Sequence, residues 1–110
     1  MAWSVETLNR RVGKELDSLR TDLRADYTRI AELIEEFGPD EVDMPHVRSL
    51  KGTRHPKLWE MRMKDQDGIA RAIYLVASRK RVIVLHIFGK KSGKTPRRAI
   101  DLAKARAKGV

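Results

Sequence analysis

A chain of 110 residues has room for one domain with a modest core, and its lack of cysteine excludes disulfides and cysteine-ligated metal sites. The formal charge of +9 is divided unevenly: residues 1–44 hold 11 acidic against 6 basic side chains, residues 45–110 hold 4 against 18. Nucleic acid is therefore the expected partner of the second part, because clustered cations release condensed counterions when they meet phosphates; a basic surface kept for solubility is the plainer alternative.

In chain order, Trp3 and Val5 alternate with Ser4 and Glu6 and suit a short opening strand. Asn9 is placed to cap a first helix carrying Val12, Leu16 and Leu19. The next helix has an apolar stripe at Leu23, Tyr27, Ile30, Ile34 and Phe37, spaced by four, three, four and three, and Gly38-Pro39 supplies its stop. Its other face carries Arg24, Asp26, Arg29, Glu32, Glu35 and Glu36, so a helical hairpin packed on a sheet, with a solvated outer face, is expected. From Pro39 to Lys57 the sequence is irregular and holds three of the four prolines, with Val47 and Leu50 available to tack it to the core or form a short strand.

Three strands follow. Over Leu58 to Lys64, Trp59, Met61 and Met63 alternate with Glu60, Arg62 and Lys64, the pattern of a half-buried strand. Asp65 to Gly68 reads as a hairpin turn with glycine at a position of positive φ. The stretch from Ile69 to Ala77 is apolar on both faces except for Arg71, as a central strand requires, and Ser78-Arg79-Lys80 turns it into the strand from Arg81 to Phe88. Thr95 is expected to cap a last helix with Pro96 at its first position. That helix has a thin apolar stripe of Ile100, Ala103 and Ala107 and presents Arg97, Arg98, Lys104, Arg106 and Lys108 to solvent. The fold class is α+β: an N-terminal helical hairpin on a small, mainly antiparallel twisted sheet, closed by a C-terminal helix, in a single domain over residues 1–110. The first residues have no apolar signal core and no apolar run reaches bilayer length, so a soluble, cytoplasmic chain with no membrane partner is expected.

Arg71 is the most informative side chain, since a charge in a central strand costs free energy unless it is paired or opens into a polar cleft. One solution is an ion pair with Glu60 or a helix carboxylate. In another, Arg62 on the preceding strand shares its face, and two guanidiniums converge on a concavity that suits a phosphate; the register that decides this is open. The turn from Gly89 to Lys94 adds Lys90, Lys91 and Lys94 at the end of the next strand, but Gly89 and Gly93 are one residue too close for a nucleotide-binding P-loop. His86, expected on a face with Val84 and Phe88, is as well explained as a core-edge histidine as a proton carrier; His46 and His55 carry no spacing signal, and no metal site is indicated. Phe88 and Trp59 could stack on bases or simply belong to the core.

The segments "LWEMRM", "IARAIYLV" and "VIVLHIFGKKSGKTPRRAIDLAKAR" resemble the C-terminal half of the RelE/ParE toxin superfamily, most of all its phage-derived, HigB-like branch, and the Phe37-Gly38-Pro39 stop fits as well. The resemblance implies a RelE-like domain and a type II toxin: a metal-independent endoribonuclease, needing no cofactor, that cuts mRNA on the ribosome, inhibits translation and is neutralised by a helix-turn-helix antitoxin. On this likeness Arg62, Arg71 and Lys91, with His86 as a candidate proton carrier, form the catalytic set, and Lys64, Lys90, Lys94, Arg97 and Arg98 bind RNA. The sequence departs from some relatives in having Arg97 and Arg98 where they have a Tyr or His early in the last helix, so the general base is open among His86, Lys90 and Lys91. A DNA gyrase poison, as in the ParE branch, and a plain basic RNA-binding module are the competing readings.

Overall fold

The computed structural model describes residues 2–42, 46–90 and 94–110, with Lys90 described by its backbone alone. Five strands form one sheet: β1 (Ser4–Thr7), β2 (Val47–Ser49), β3 (Trp59–Asp65), β4 (Gly68–Ala77) and β5 (Arg81–Lys90), in the spatial order β1-β5-β4-β3-β2. The pairs from β2 to β5 are antiparallel, the expected meander, while β1 joins β5 in parallel and makes the sheet mixed. The helices are α1 (Arg10–Asp17), α2 (Thr21–Phe37) and α3 (Arg97–Ala107). The chain opens with a strand, and α1 rests chiefly on β5 whereas α2 rests on β3 and β1, so each helix is held mainly by the sheet and not by a hairpin partner.

Strand alternation divides the core between the two faces of this sheet. On one face Met61, Met63, Ala72, Tyr74, Val84 and Ile87 meet Val12 of α1 and Leu23, Tyr27, Ile30 and Ile34 of α2. On the other, Leu58, Ile73, Leu75, Ile83 and Leu85 meet Ala99 and Ala103 of α3. Asn9 caps α1 as expected, its Oδ1 accepting from the Val12 N–H at 3.1 Å. Phe37, however, is 57 % exposed. Trp3 closes that end of the core instead: Gly38, at φ 89°, stops α2 so close to the indole that an added Cβ would lie 3.0 Å from Nε1.

Two turns depart from expectation. Gly68 pairs with Asp65 across the hairpin but has no positive φ. Its value is space, since an added Cβ would meet the Arg20 guanidinium at 3.1 Å, and that guanidinium grips Asp65 at 2.9 and 3.0 Å. The left-handed residues lie in the next turn, at Arg79 and Lys80 (φ 61° and 56°), the geometry that matches the twist of a tight hairpin. Within β5 a bulge leaves Leu85 as the extra residue between His86, opposite Ile73, and Val84, opposite Tyr74. His86 therefore does not share a face with Val84, as simple alternation suggested, but stacks on Phe88 with ring centroids 5.0 Å apart.

The acidic side chains of the first part close the sheet's open edges. Glu35 accepts from the Val5 N–H, Asp26 from the Lys64 N–H and Glu15 from the Ile87 N–H, at 3.0, 2.8 and 3.0 Å. A paired edge resists association with another chain. The charge asymmetry thus has a structural half: carboxylates of the helices serve the backbone, and Arg48, Arg62 and Lys64 of the later strands remain at the surface. Among the described residues no helix is long and apolar enough to cross a membrane.

Candidate nucleic-acid interface

The register that the sequence left open places Arg62 directly opposite Arg71, and Phe88 opposite Arg71 on the other side. Residues directly opposite one another project from the same face of a sheet. One row across the α3 face therefore reads Arg62, Arg71, Phe88, and the next reads Arg48, Glu60, Ile73, His86. The rows lie about 7 Å apart, two residues along a strand.

Arg71 is 3 % exposed and Glu60 1 %. Nη1 of Arg71 donates to Glu60 Oε1 at 2.6 Å, and Nε of Arg48 donates to the same oxygen at 2.6 Å. The Thr95 hydroxyl donates to Glu60 Oε2 and accepts from Arg71 Nη1 at 3.2 Å. The ion-pair solution for Arg71 is thus realised, with a carboxylate two positions before Arg62. Thr95 consequently does not cap α3; Pro96 holds the N-cap position, where no side-chain bond is made, because the hydroxyl is spent on the buried charge. That bond seats the start of α3, with Lys94, Arg97 and Arg98 exposed around it, beside the arginine row.

Arg62 and Lys64 are exposed, and among the described residues the Arg62 guanidinium makes no ion pair. With Arg29, His46 and the carboxylates of Asp26 and Asp65 they border a recess of about 540 Å³ at the edge of β3 beyond the end of β2. Arg97 makes a long contact of 3.5 Å to Asp101 with both side chains largely solvated, worth little in free energy. The Lys90 backbone pairs with Ile69 at the end of the sheet, while its side chain and the whole of Lys91 lie outside the described residues. Trp59 packs against the core and carries Lys57 Nζ 5.8 Å from its ring centre.

A second cluster joins α1, β5 and α3. Arg106, expected on the solvent face of α3, turns inward because Glu15 faces it: Nη2 meets Glu15 Oε2 at 2.9 Å and Nη1 meets Oε1 at 3.0 Å. His86 Nδ1 lies 3.0 Å from the same Oε1. Burial pushes the Glu15 carboxyl up, but the hydrogen bonds from Arg106, the Ile87 N–H and His86 outweigh it and hold the group below its usual range. Among the described residues no three His, Asp or Glu side chains gather as a metal site.

Sequence reasoning missed Thr95, Arg48, Glu15 and Arg106. Thr95 was masked by its own cap-like setting before a proline, and the other three gain their roles only through contacts 12 to 91 residues apart. Glu60 was visible as the one carboxylate alternating with Arg62 and Lys64.

In fold, the chain is similar to the free form of an arginine-to-alanine double mutant of the toxin RelE from E. coli, with a TM-score of 0.68 over 96 % of this chain and 98 % of that one, at 19 % identity. No curated protein sequence matches it. Residues 14–108 match the model of the family described as phage derived protein Gp49-like (DUF891). The chain belongs to this phage-derived, Gp49-like family.

Proposed function

We propose that the chain is the toxin of a type II toxin–antitoxin pair and acts as a HigB-like, ribosome-dependent mRNA endoribonuclease. The observation that carries this reading is the row of Arg62, Arg71 and Phe88 on one face of the sheet, flanked by Arg48 and by the cationic start of α3. In such a reaction the ribose 2′-oxygen attacks the adjacent phosphorus in line, and the phosphorane gathers negative charge that fixed cations stabilise. Arg62 and Lys91 are the side chains proposed to meet the phosphate, with Lys64, Lys90, Lys94, Arg97 and Arg98 along the strand. Arg71 is too enclosed to touch RNA in this conformation; its proposed role is to hold Glu60, and through it Arg48 and Thr95, in place.

A helix-turn-helix antitoxin that covers this face with carboxylates or an apolar helix is the proposed neutralising partner. A second reading, a non-enzymatic poison of DNA gyrase, is favoured by one observation: Glu60 already neutralises Arg71, so that arginine needs no phosphate. Induction in cells without the antitoxin, followed by mapping of RNA 5′ ends and of DNA-damage signalling, separates the two. In-frame cuts in translated mRNA are expected. Intact mRNA with a damage response would sink the ribonuclease reading in favour of the second.

A further inference from the structure

The contacts around His86 determine which of its nitrogens carries the proton. Nδ1 lies near two groups of opposite character, Glu15 Oε1 at 3.0 Å and Arg106 Nη1 at 3.4 Å. A guanidinium Nη carries two hydrogens. Both hydrogens of Arg106 Nη1 are already placed, one on Glu15 Oε1 at 3.0 Å and one on the Leu85 carbonyl oxygen at 2.9 Å. Nothing remains for Arg106 to donate to Nδ1. The carboxylate can only accept, so Nδ1 must be the donor in the shorter contact, and the lone pair of the neutral ring falls on Nε2. Among the described residues Nε2 has no hydrogen-bond partner, and it is not one of the enclosed, unsatisfied polar atoms. The ring lies on the α3 face, stacked on Phe88, one row from Arg71.

We propose that Glu15 is a positioning residue that fixes His86 as the general base of RNA cleavage, with Nε2 the atom that receives the proton. This rests on the ribonuclease reading above and deepens it. The His86 Nε2 lone pair takes the proton of the ribose 2′-hydroxyl while the 2′-oxygen electron pair forms the new bond to phosphorus. The bond from phosphorus to the 5′-oxygen breaks, its electron pair leaves on that oxygen, and solvent water supplies the proton that neutralises it. The products are a 2′,3′-cyclic phosphate and a 5′-hydroxyl. The imidazolium formed is stabilised through Nδ1 by the ionised Glu15, whose own charge Arg106 holds in place. The groups that face the ring are Glu15 from α1, Arg106 from α3, Phe88 on β5 and the apolar Ile73 on β4, so Glu15 is the one anion among them.

The test pairs a structural readout with a kinetic one. In ¹⁵N-resolved NMR of the uniformly labelled protein, His86 should show the Nδ1–H tautomer, and Glu15→Gln should mix the tautomers while Arg106→Gln, which loosens α3 and lowers the melting temperature, should not. On programmed ribosomes under single turnover, Glu15→Gln and His86→Gln should each lower the maximal rate by about 10²-fold or more without raising the half-saturating ribosome concentration, and Glu15→Asp should recover part of the loss. A wild-type Nε2–H tautomer, or a His86→Gln protein that cleaves at the full rate, overturns the inference and leaves the ribonuclease reading standing. Wild-type protein that cuts no RNA overturns that reading itself, whatever the tautomer.

Discussion

Replacing Glu60 by leucine is the sharpest perturbation of this molecule, because one carboxylate holds two arginines and the start of a helix. The Glu60 side chain is 1 % exposed and that of Arg71 4 %, whereas Arg48 is 46 % exposed. The Arg48 contact is discounted for solvent screening to at most about 1 kcal/mol. Removing the partner of a buried charge costs about 3–5 kcal/mol, since the remaining ion keeps its desolvation penalty and loses its compensation. Against a typical total of roughly 5–15 kcal/mol, that is a large share. Urea unfolding followed by circular dichroism should therefore show the midpoint falling by on the order of 2 M, with a slope of about 1–3 kcal/mol/M. The double variant Glu60→Leu/Arg71→Met should recover most of the loss, because an apolar pair of similar volume carries no desolvation penalty. A Glu60→Leu protein within about 1 kcal/mol of wild type, or a double variant no better than the single one, would refute the assignment of Glu60 as the hub.

Three further outcomes are expected. The Tyr74 hydroxyl is enclosed without a hydrogen-bond partner, and burial first, then the charge of Asp40, raises its pKa; Tyr74→Phe should leave stability unchanged or raise it by about 1 kcal/mol, read as the melting temperature. The Glu15 carboxyl is depressed below its ordinary 4.5, so the stability it contributes is complete above that pH and is lost as pH falls through its lower folded value; Glu15→Gln should flatten the acid limb of a stability-against-pH curve, and an unchanged limb would count against the cluster. Arg62 is exposed, so Arg62→Ala should alter stability by no more than about 0.5 kcal/mol while reducing the salt dependence of RNA binding by roughly one counterion; filter binding across a salt series decides this.

Much of the fold was legible because local physics and tertiary packing agree. Alternation in β3, the run of β4 that is apolar but for Arg71, and the four-and-three spacing of Leu23, Tyr27, Ile30 and Ile34 each name a buried face, and the structure buries these residues with the exception of Val76 at the end of β4 and of Trp59, which is half-buried. What was not legible depended on partners remote in sequence. Thr95 before Pro96 has every local mark of a helix cap, yet a buried carboxylate 35 residues away outcompetes the exposed backbone N–H groups of α3. The bulge at Leu85 shifts His86 by one place, and no residue type near it signals an extra residue. Nothing local to Glu15 marks it out, because its role comes from Arg106 of α3, which is remote in sequence.

The candidate site was half legible for the same reason. An arginine in a central strand announces a partner or a cleft, and the sequence offered both; the structure supplies the partner, Glu60, and also sets Arg62 on the same face.

Ribonuclease action is tested most directly by cleavage of a defined mRNA on ribosomes programmed with that message, comparing an all-ribose codon with one carrying a 2′-deoxy nucleotide on the 5′ side of the scissile phosphate. A cut is expected in the first, ending in a cyclic phosphate, and none at the same bond in the second. Equal cutting of both, or no cutting of either, would rule out cleavage through the 2′-hydroxyl.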